Sequence, residues 1–201
     1  MPDRQTMKIV DELPMSEKVA WSGSVTAIQP RIRLTRSFDE RSHTYLGYLL
    51  RVEGTIGGMS AEFRVGIGSG TNAKHQFRIG DRIEGLGHRV VDPRLETADL
   101  YKVSKMKLIG RGEAQAMTAP WHGVPPPLPV YRERGHRRLA VTTYDSKCNS
   151  CIWGCVMPVE MIIDNGTPTG GATGRKPSAT DHCPAPATSP VPPVRFPVAT
   201  A

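Results

Sequence analysis

The sequence contains no long apolar run. None of its 201 residues lies in a stretch approaching the roughly 18 apolar residues that a membrane-spanning helix needs. The first residues, MPDRQTMKIVDELP, lack the apolar centre of a secretory signal, so a cytoplasmic location and no membrane partner are expected. In that reducing compartment, closely spaced cysteines are more often metal ligands or redox groups than structural disulfides.

Aromatic residues are also scarce, at 6% of the chain, whereas glycine (20) and proline (18) are abundant. This composition indicates a β-rich domain with many turns, accompanied by segments that bury little. No nucleophile–base pair, phosphate-binding loop or acidic dyad emerges, so no catalytic residue is predicted and the chain is not expected to be an enzyme. The net charge of +7, with a pI of about 9.5, favours nucleic acid as a partner.

Residues 1–117 have the alternation of a β domain. Apolar residues recur with a period of two in KVAWSGSVTAI, TYLGYLLRVEG and MSAEFRVGI, and two further strands follow in IGDRIEGLGHRVV and LYKVSKMKLIG. Between the third and fourth strands, TNAKHQF predicts a single helical turn. Five strands in this order predict a mainly β fold, a five-stranded OB-fold-like barrel, with another small antiparallel barrel or sandwich as the alternative.

Three features make this segment similar to the OB-fold nucleic-acid-binding domains: a glycine within a long first strand, GD opening the fourth, and a basic fifth strand. Such domains bind single strands in a basic groove with aromatic rings for base stacking. The resemblance implies single-stranded DNA or RNA as the ligand. The candidate contacts are Arg31, Arg33, Tyr45, Arg51, Arg64, Lys102, Lys105 and Lys107. The alternative is a strand face that carries charge only for solubility.

Residues 118–165 read as a proline-rich connector followed by a cysteine segment. APWHGVPPPLPVY is extended and either lies against the barrel or acts as a stiff spacer. VMPVEMIID predicts a short helix, with Pro158 in its first turn. Residues 166–201 are low in complexity and contain PAPATSPVPPV, which predicts a disordered tail.

Cys148, Cys151 and Cys155 have a spacing that allows one metal ion to be held from a single turn. Zinc and an iron–sulfur cluster both use four ligands, and the spacing does not separate them. With three thiolates the predicted site is incomplete, and the spacing of His136, His182 or Cys183 does not favour any of them as the fourth ligand. The alternative function is an iron–sulfur accessory or electron-transfer protein whose barrel binds a protein partner.

The residues CNSCIWGCVMPVEMIID resemble the first half of a cysteine-rich tail that follows an OB-like domain in a bacterial family. In that family the segment continues through a tryptophan to RYR-x-ETFCYGP-x-SC, which is absent from this chain. Codons permitted by residues 166–186 spell RYRAETFCYGPLSCP if one T is restored between codons 165 and 166. The sequence therefore predicts that the chain after Asn165 is read in a shifted frame.

Overall fold

The computed structural model describes residues 17–34, 43–93, 96–112, 123–135, 137–162 and 171–179. The first five strands are β1 Lys18–Leu34, β2 His43–Ile56, β3 Met59–Ile67, β4 Arg82–Arg89 and β5 Leu100–Gly110. A short helix, α1 Ser69–His75, lies between β3 and β4. The later elements are α2 Leu128–Arg134, β6 Arg137–Arg138, α3 Val141–Thr143 with a π-helical turn Tyr144–Cys148, β7 Gly154–Ile162 and β8 Gly171–Ala179.

Strands β1 to β5 close into a single five-stranded sheet. Strand β1 pairs antiparallel with both β2 and β4, β2 pairs with β3, and β4 pairs with β5. A parallel contact between Val65 of β3 and Leu100 of β5 completes the ring. The predicted fold class is thus confirmed as mainly β, with five strands closing on one another, a helical turn between the third and fourth, and a cysteine-containing extension. We refer to β1–β5 as the closed sheet.

The core of the closed sheet follows from the period-two alternation of its strands. Trp21 packs edge-on against Phe63 with their ring centroids 6.1 Å apart. The register shifts between Val25 and Ala27, so β1 carries one extra residue relative to β2. Val25 and Ile28 are therefore both buried in the core, while Gln29 is on the outer side, where it contacts the cysteine segment.

Gly23 and Gly54 stand opposite each other on β1 and β2. A Cβ atom on Gly23 would lie 2.4 Å from the carbonyl oxygen of Glu53, and one on Gly54 would lie 2.1 Å from that of Ser22. Any larger residue at either position would force the backbones apart. The glycine within the first strand, which contributed to the predicted fold, is thus required by close packing.

The proline-rich connector lies against the closed sheet, the first of its two predicted arrangements. The Tyr48 hydroxyl donates to the carbonyl oxygen of Pro126 at 2.8 Å. Helix α2 follows directly, and its fully buried Tyr131 donates to the carbonyl oxygen of Ile152 at 2.7 Å. The connector and α2 thereby join the closed sheet to the cysteine segment.

Two predictions for the C-terminal part differ from the structure. VMPVEMIID is not a helix: it lies mostly within β7, where the alternate residues Cys155 and Met157 are buried with Ile32. The helix prediction failed because so short a run contains too few alternating positions to distinguish a strand from a helix. The predicted disordered tail contains nine described residues, which form β8 and pair with β7 along its whole length. Residues 163–170 and 180–201 lie outside the described residues.

None of the helices in the described ranges is long and apolar enough to cross a membrane.

Candidate functional site

The cysteine module, defined as residues 137–158, docks on the outer side of β1, where Gln29 makes several of the hydrogen bonds that hold it. The amide nitrogen of Gln29 donates to the carbonyl oxygens of Cys148, Asn149 and Cys151 at 2.8, 3.0 and 3.2 Å. Its amide oxygen accepts a hydrogen bond from the Tyr144 hydroxyl at 2.8 Å. Gln29 is buried, and these hydrogen bonds satisfy its own amide group and the buried Tyr144 hydroxyl.

The docked module covers part of the outward face of β1 to β3. Arg51 donates to the side-chain oxygen of Asn149 and pairs with Glu62 at 3.7 Å. Arg64 pairs with Asp99 at 3.0 Å. Both arginines line a cavity of about 220 Å³ that Tyr144 of the module also lines. Two of the predicted nucleic-acid contacts are therefore engaged within the protein and face its own C-terminal module.

Arg31 is engaged in an ion pair with Glu96. Its Nε donates to Glu96 Oε1 at 2.9 Å, and the same carboxylate accepts the backbone N–H groups of Thr97 and Ala98. Burial alone would raise the pKa of Glu96, but the hydrogen bonds and charge of Arg31 and the two N–H groups outweigh it and lower that pKa. Arg31 therefore fixes the loop before β5.

Tyr45 and Arg33 are the remaining candidates on the first two strands. The Tyr45 ring is half-buried and lies under the guanidinium of Arg132, 5.0 Å from the ring centroid. Burial raises the pKa of the Tyr45 hydroxyl. Arg33 is exposed on β1. The structure does not gather the five predicted residues of strands one to three into one open groove.

Lys102, Lys105 and Lys107 of β5 are all exposed, and we name them the lysine strip. Lys102 and Lys105 adopt left-handed backbone conformations, with φ of 47° and 51°. The pairing of β4 with β5 shifts register at the same places, which is typical of β-bulges. Side chains of this basic strand therefore leave the regular alternation, and all three lysines reach solvent.

A surface groove of about 500 Å³ runs beside the lysine strip. Lys105 and Lys107 line it together with Leu86 of β4, Ser22 of β1 and Thr55 of β2. Lys107 pairs with Glu84 at 3.2 Å, and both side chains are well exposed, so solvent screens the pair. The groove thus combines two ammonium groups and the Glu84 carboxylate with hydroxyl and apolar surface.

The rings of Tyr101 and His88 lie next to the lysine strip and were not predicted from the sequence. Lys102 lies over the ring of Tyr101, 5.5 Å from its centroid, and Tyr101 in turn lies 6.2 Å from the ring of His88. His88 and Tyr101 are partners in the pairing of β4 with β5, so finding them from the sequence requires the register of these two strands. Gln29 was also missed, because nothing in the sequence of β1 indicates a partner 119 residues away.

All three cysteines of the module are buried, and none of them is in a disulfide bond. Cys148 and Cys151 pack with Leu139 and Tyr144, whereas Cys155 packs with Ile32 and Met157. Burial raises the pKa of the Cys155 thiol to about 12, so this thiol is neutral at physiological pH. The backbone N–H of Trp153 donates to Cys151 Sγ at 3.4 Å.

In the described ranges, no three His, Cys, Asp or Glu side chains are placed to hold a metal ion. Metal binding by Cys148, Cys151 and Cys155 stays a prediction. The short helix predicted directly after the thiols is replaced by strand β7. His136, His182 and Cys183 lie outside the described residues.

No protein-family model matches the chain, and neither a curated protein nor a solved structure matches it.

Proposed function

We propose that this chain is a cytoplasmic, non-enzymatic protein that binds single-stranded nucleic acid through the lysine strip. The observation that carries the proposal is the groove beside Lys105 and Lys107. Of the predicted contacts, Arg31, Arg51 and Arg64 are part-buried and held in ion pairs, while the three lysines of the strip are exposed on one strand and the Lys107–Glu84 pair is open to solvent. The net charge of +7 supports the same class of ligand.

The arrangement of the lysine strip suits single-stranded nucleic acid rather than a duplex. Ammonium groups on one strand follow a phosphate backbone as point charges and need no base-specific geometry. The half-buried ring of Tyr101, beside Lys102, offers a surface on which a base can stack. With so little aromatic surface, binding is expected to be dominated by charge and to have little sequence preference.

Fluorescence anisotropy with labelled oligo-dT and oligo-U tests this proposal. Each lysine that contacts a phosphate contributes about 0.7 to the slope of log K against log salt for a single strand. Changing Lys102, Lys105 and Lys107 together to Gln should weaken binding and flatten that slope by about 2. Comparing DNA with RNA in the same titration identifies the preferred strand.

The matched control removes the same charge elsewhere. Lys74, Arg78 and Lys147 are exposed and lie outside the groove. Their triple change to Gln lowers the net charge equally, so it should weaken binding much less if contact at the strip matters. Equal losses in the two triple variants, or no binding by the unaltered chain, would contradict the proposed surface.

A further inference from the structure

A second cleft, of about 610 Å³, opens between β2, α1 and the proline-rich connector. We name it the proline cleft. Six of its lining residues carry the argument: Tyr45, Tyr48, Asn72, Pro125, Pro127 and Arg132. Its volume falls within the range of roughly 300–1,000 Å³ that is typical of small-molecule sites. Nothing in the proposed strand binding uses this cleft.

The walls of the proline cleft are fixed by contacts with the closed sheet. Tyr48 holds the connector through its hydrogen bond to the carbonyl oxygen of Pro126, at 2.8 Å. Burial raises the pKa of the Tyr48 hydroxyl, so it keeps its proton and remains a donor. Tyr131 anchors α2, which carries Arg132. A ligand therefore meets a largely preformed site.

Asn72 supplies an unsatisfied polar group at this site. Asn72 lines the proline cleft beside Tyr48 and is only 6% exposed. Its Oδ1 atom is buried and has no hydrogen-bond partner in the described part of the protein. A buried acceptor without a partner is unfavourable, and a ligand with an N–H or O–H donor can satisfy it.

The charge and lining of the proline cleft indicate the remaining chemical features of its ligand. Of its lining residues in the described ranges, none is acidic and Arg132 is the one that carries a charge. The guanidinium of Arg132 lies 5.0 Å from the centroid of the Tyr45 ring. Tyr45, Pro125 and Pro127 contribute ring surface to the lining. This combination favours a planar ring that carries an anionic group.

We infer that the proline cleft binds a small aromatic anion with a hydrogen-bond donor, the chemistry of a nucleoside monophosphate. The anionic group lies against Arg132, the planar ring packs against Tyr45 and the prolines, and the donor reaches Asn72. The site takes a free small molecule, so the inference does not rest on strand binding at the lysine strip.

Isothermal titration of the full chain tests this with AMP, CMP, GMP and UMP as probes, and with adenosine and inorganic phosphate as partial ligands. At least one monophosphate should bind at least tenfold more tightly than either part. Arg132→Gln should weaken that monophosphate about tenfold and leave adenosine unaffected. Arg132 is exposed, so the variant should fold normally. Lys147→Gln, which removes a charge outside the cleft, should change nothing.

Asn72→Leu should also weaken the monophosphate, provided that its circular dichroism and melting match the unaltered chain; if it does not fold, the Arg132 comparison alone decides. Two outcomes overturn the inference: no saturable binding of any monophosphate at millimolar concentration, or binding that Arg132→Gln leaves unchanged. The lysine-strip triple variant separates the two sites, because it should keep monophosphate binding intact. Loss of monophosphate binding in that variant would place the ligand on the strip and overturn the cleft.

Discussion

The side-chain amide of Gln29 donates to the carbonyl oxygen of Cys148 across 2.8 Å, although the two residues are 119 positions apart. The same nitrogen also reaches the carbonyl oxygens of Asn149 and Cys151, and Tyr144 donates to the amide oxygen. One side chain of the closed sheet thus satisfies three backbone acceptors of the cysteine module. The module and the sheet are expected to unfold as one unit.

Gln29→Leu should destabilise the protein by roughly 3 kcal/mol, because it removes the donor shared by three carbonyl oxygens and leaves the buried Tyr144 hydroxyl without its acceptor. Urea unfolding measures the loss, and hydrogen exchange should show faster exchange of amides in residues 144–155. Ser22→Ala on the same strand is the control, since it removes one exposed hydroxyl contact with Thr55. A loss as small as that of Ser22→Ala would show that the module does not depend on Gln29.

Gly154→Ala should also destabilise the cysteine module, in this case through a steric clash. A Cβ atom at Gly154 would lie 2.2 Å from the carbonyl oxygen of Cys148 and 2.9 Å from the amide nitrogen of Gln29. The turn after Cys151 must then open, so the melting temperature should fall by several degrees. Gly110→Ala is the matched control, because a Cβ atom there meets nothing within 4 Å. Similar melting of both variants would contradict this account.

The closed sheet could be predicted from the sequence because each of its strands carries its own alternation. Gly23 marked the close approach of β1 and β2, and TNAKHQF marked α1. The C-terminal strands could not be predicted in this way. Strand β7 is specified by its pairing with β8 and its contact with β1 at Leu34, which are tertiary interactions without a local pattern.

The candidate site was harder to predict than the fold. Period-two alternation correctly places Arg51 and Arg64 on an outward face, but it cannot show that the cysteine module packs there. Nor can it show that Arg31 has a buried partner, because Glu96 lies 65 residues away. The lysines of β5 were found because they need no partner from elsewhere in the chain to reach solvent.

Alkaline pH should destabilise the protein through Cys155. Burial raises the pKa of this thiol from its ordinary value near 9 to about 12, so the folded state holds the proton more tightly than the unfolded state. The contribution to stability is therefore complete below pH 9 and is lost as the pH rises from about 9 towards 12. Burial raises the pKa values of Tyr144 and Tyr131 as well, which acts in the same direction.

Urea midpoints measured from pH 7 to pH 11 check this expectation. The unaltered chain should lose stability above pH 9, and Cys155→Ala should lose less over the same interval. Thiol labelling at pH 7.5 should be slow in the folded protein and fast in urea, because all three cysteines of the module are buried. Rapid labelling of Cys155 without urea would contradict its buried, protonated state.

The predicted shift of reading frame can be checked at the nucleotide level. Restoring one T between codons 165 and 166 should create a tryptophan codon and an arginine-rich segment with two cysteines. Sequencing the gene across codons 160–190 in close relatives of the source strain is the measurement. A frame without that tryptophan codon would leave the present residues 166–201 as the native ones.

Restoring the reading frame should also restore metal binding, because the register of β7 with β8 fixes where the first restored cysteine lies. Strand β7 pairs Gly154 with Ala179 and Cys155 with Ser178, and the first restored cysteine takes the position of Ala179. Residues opposite each other on antiparallel strands have Cα atoms about 5 Å apart, so a thiol at position 179 lies opposite Gly154, which packs against the carbonyl oxygen of Cys148. Ala179→Cys in the present chain should therefore raise zinc retained after dialysis, measured by elemental analysis, from substoichiometric towards one equivalent. Ala172→Cys, at the far end of the pairing opposite Met161, is the control and should not raise the retained zinc.

One equivalent of zinc in the unaltered chain, lost on Cys183→Ser, would instead make Cys183 the fourth ligand.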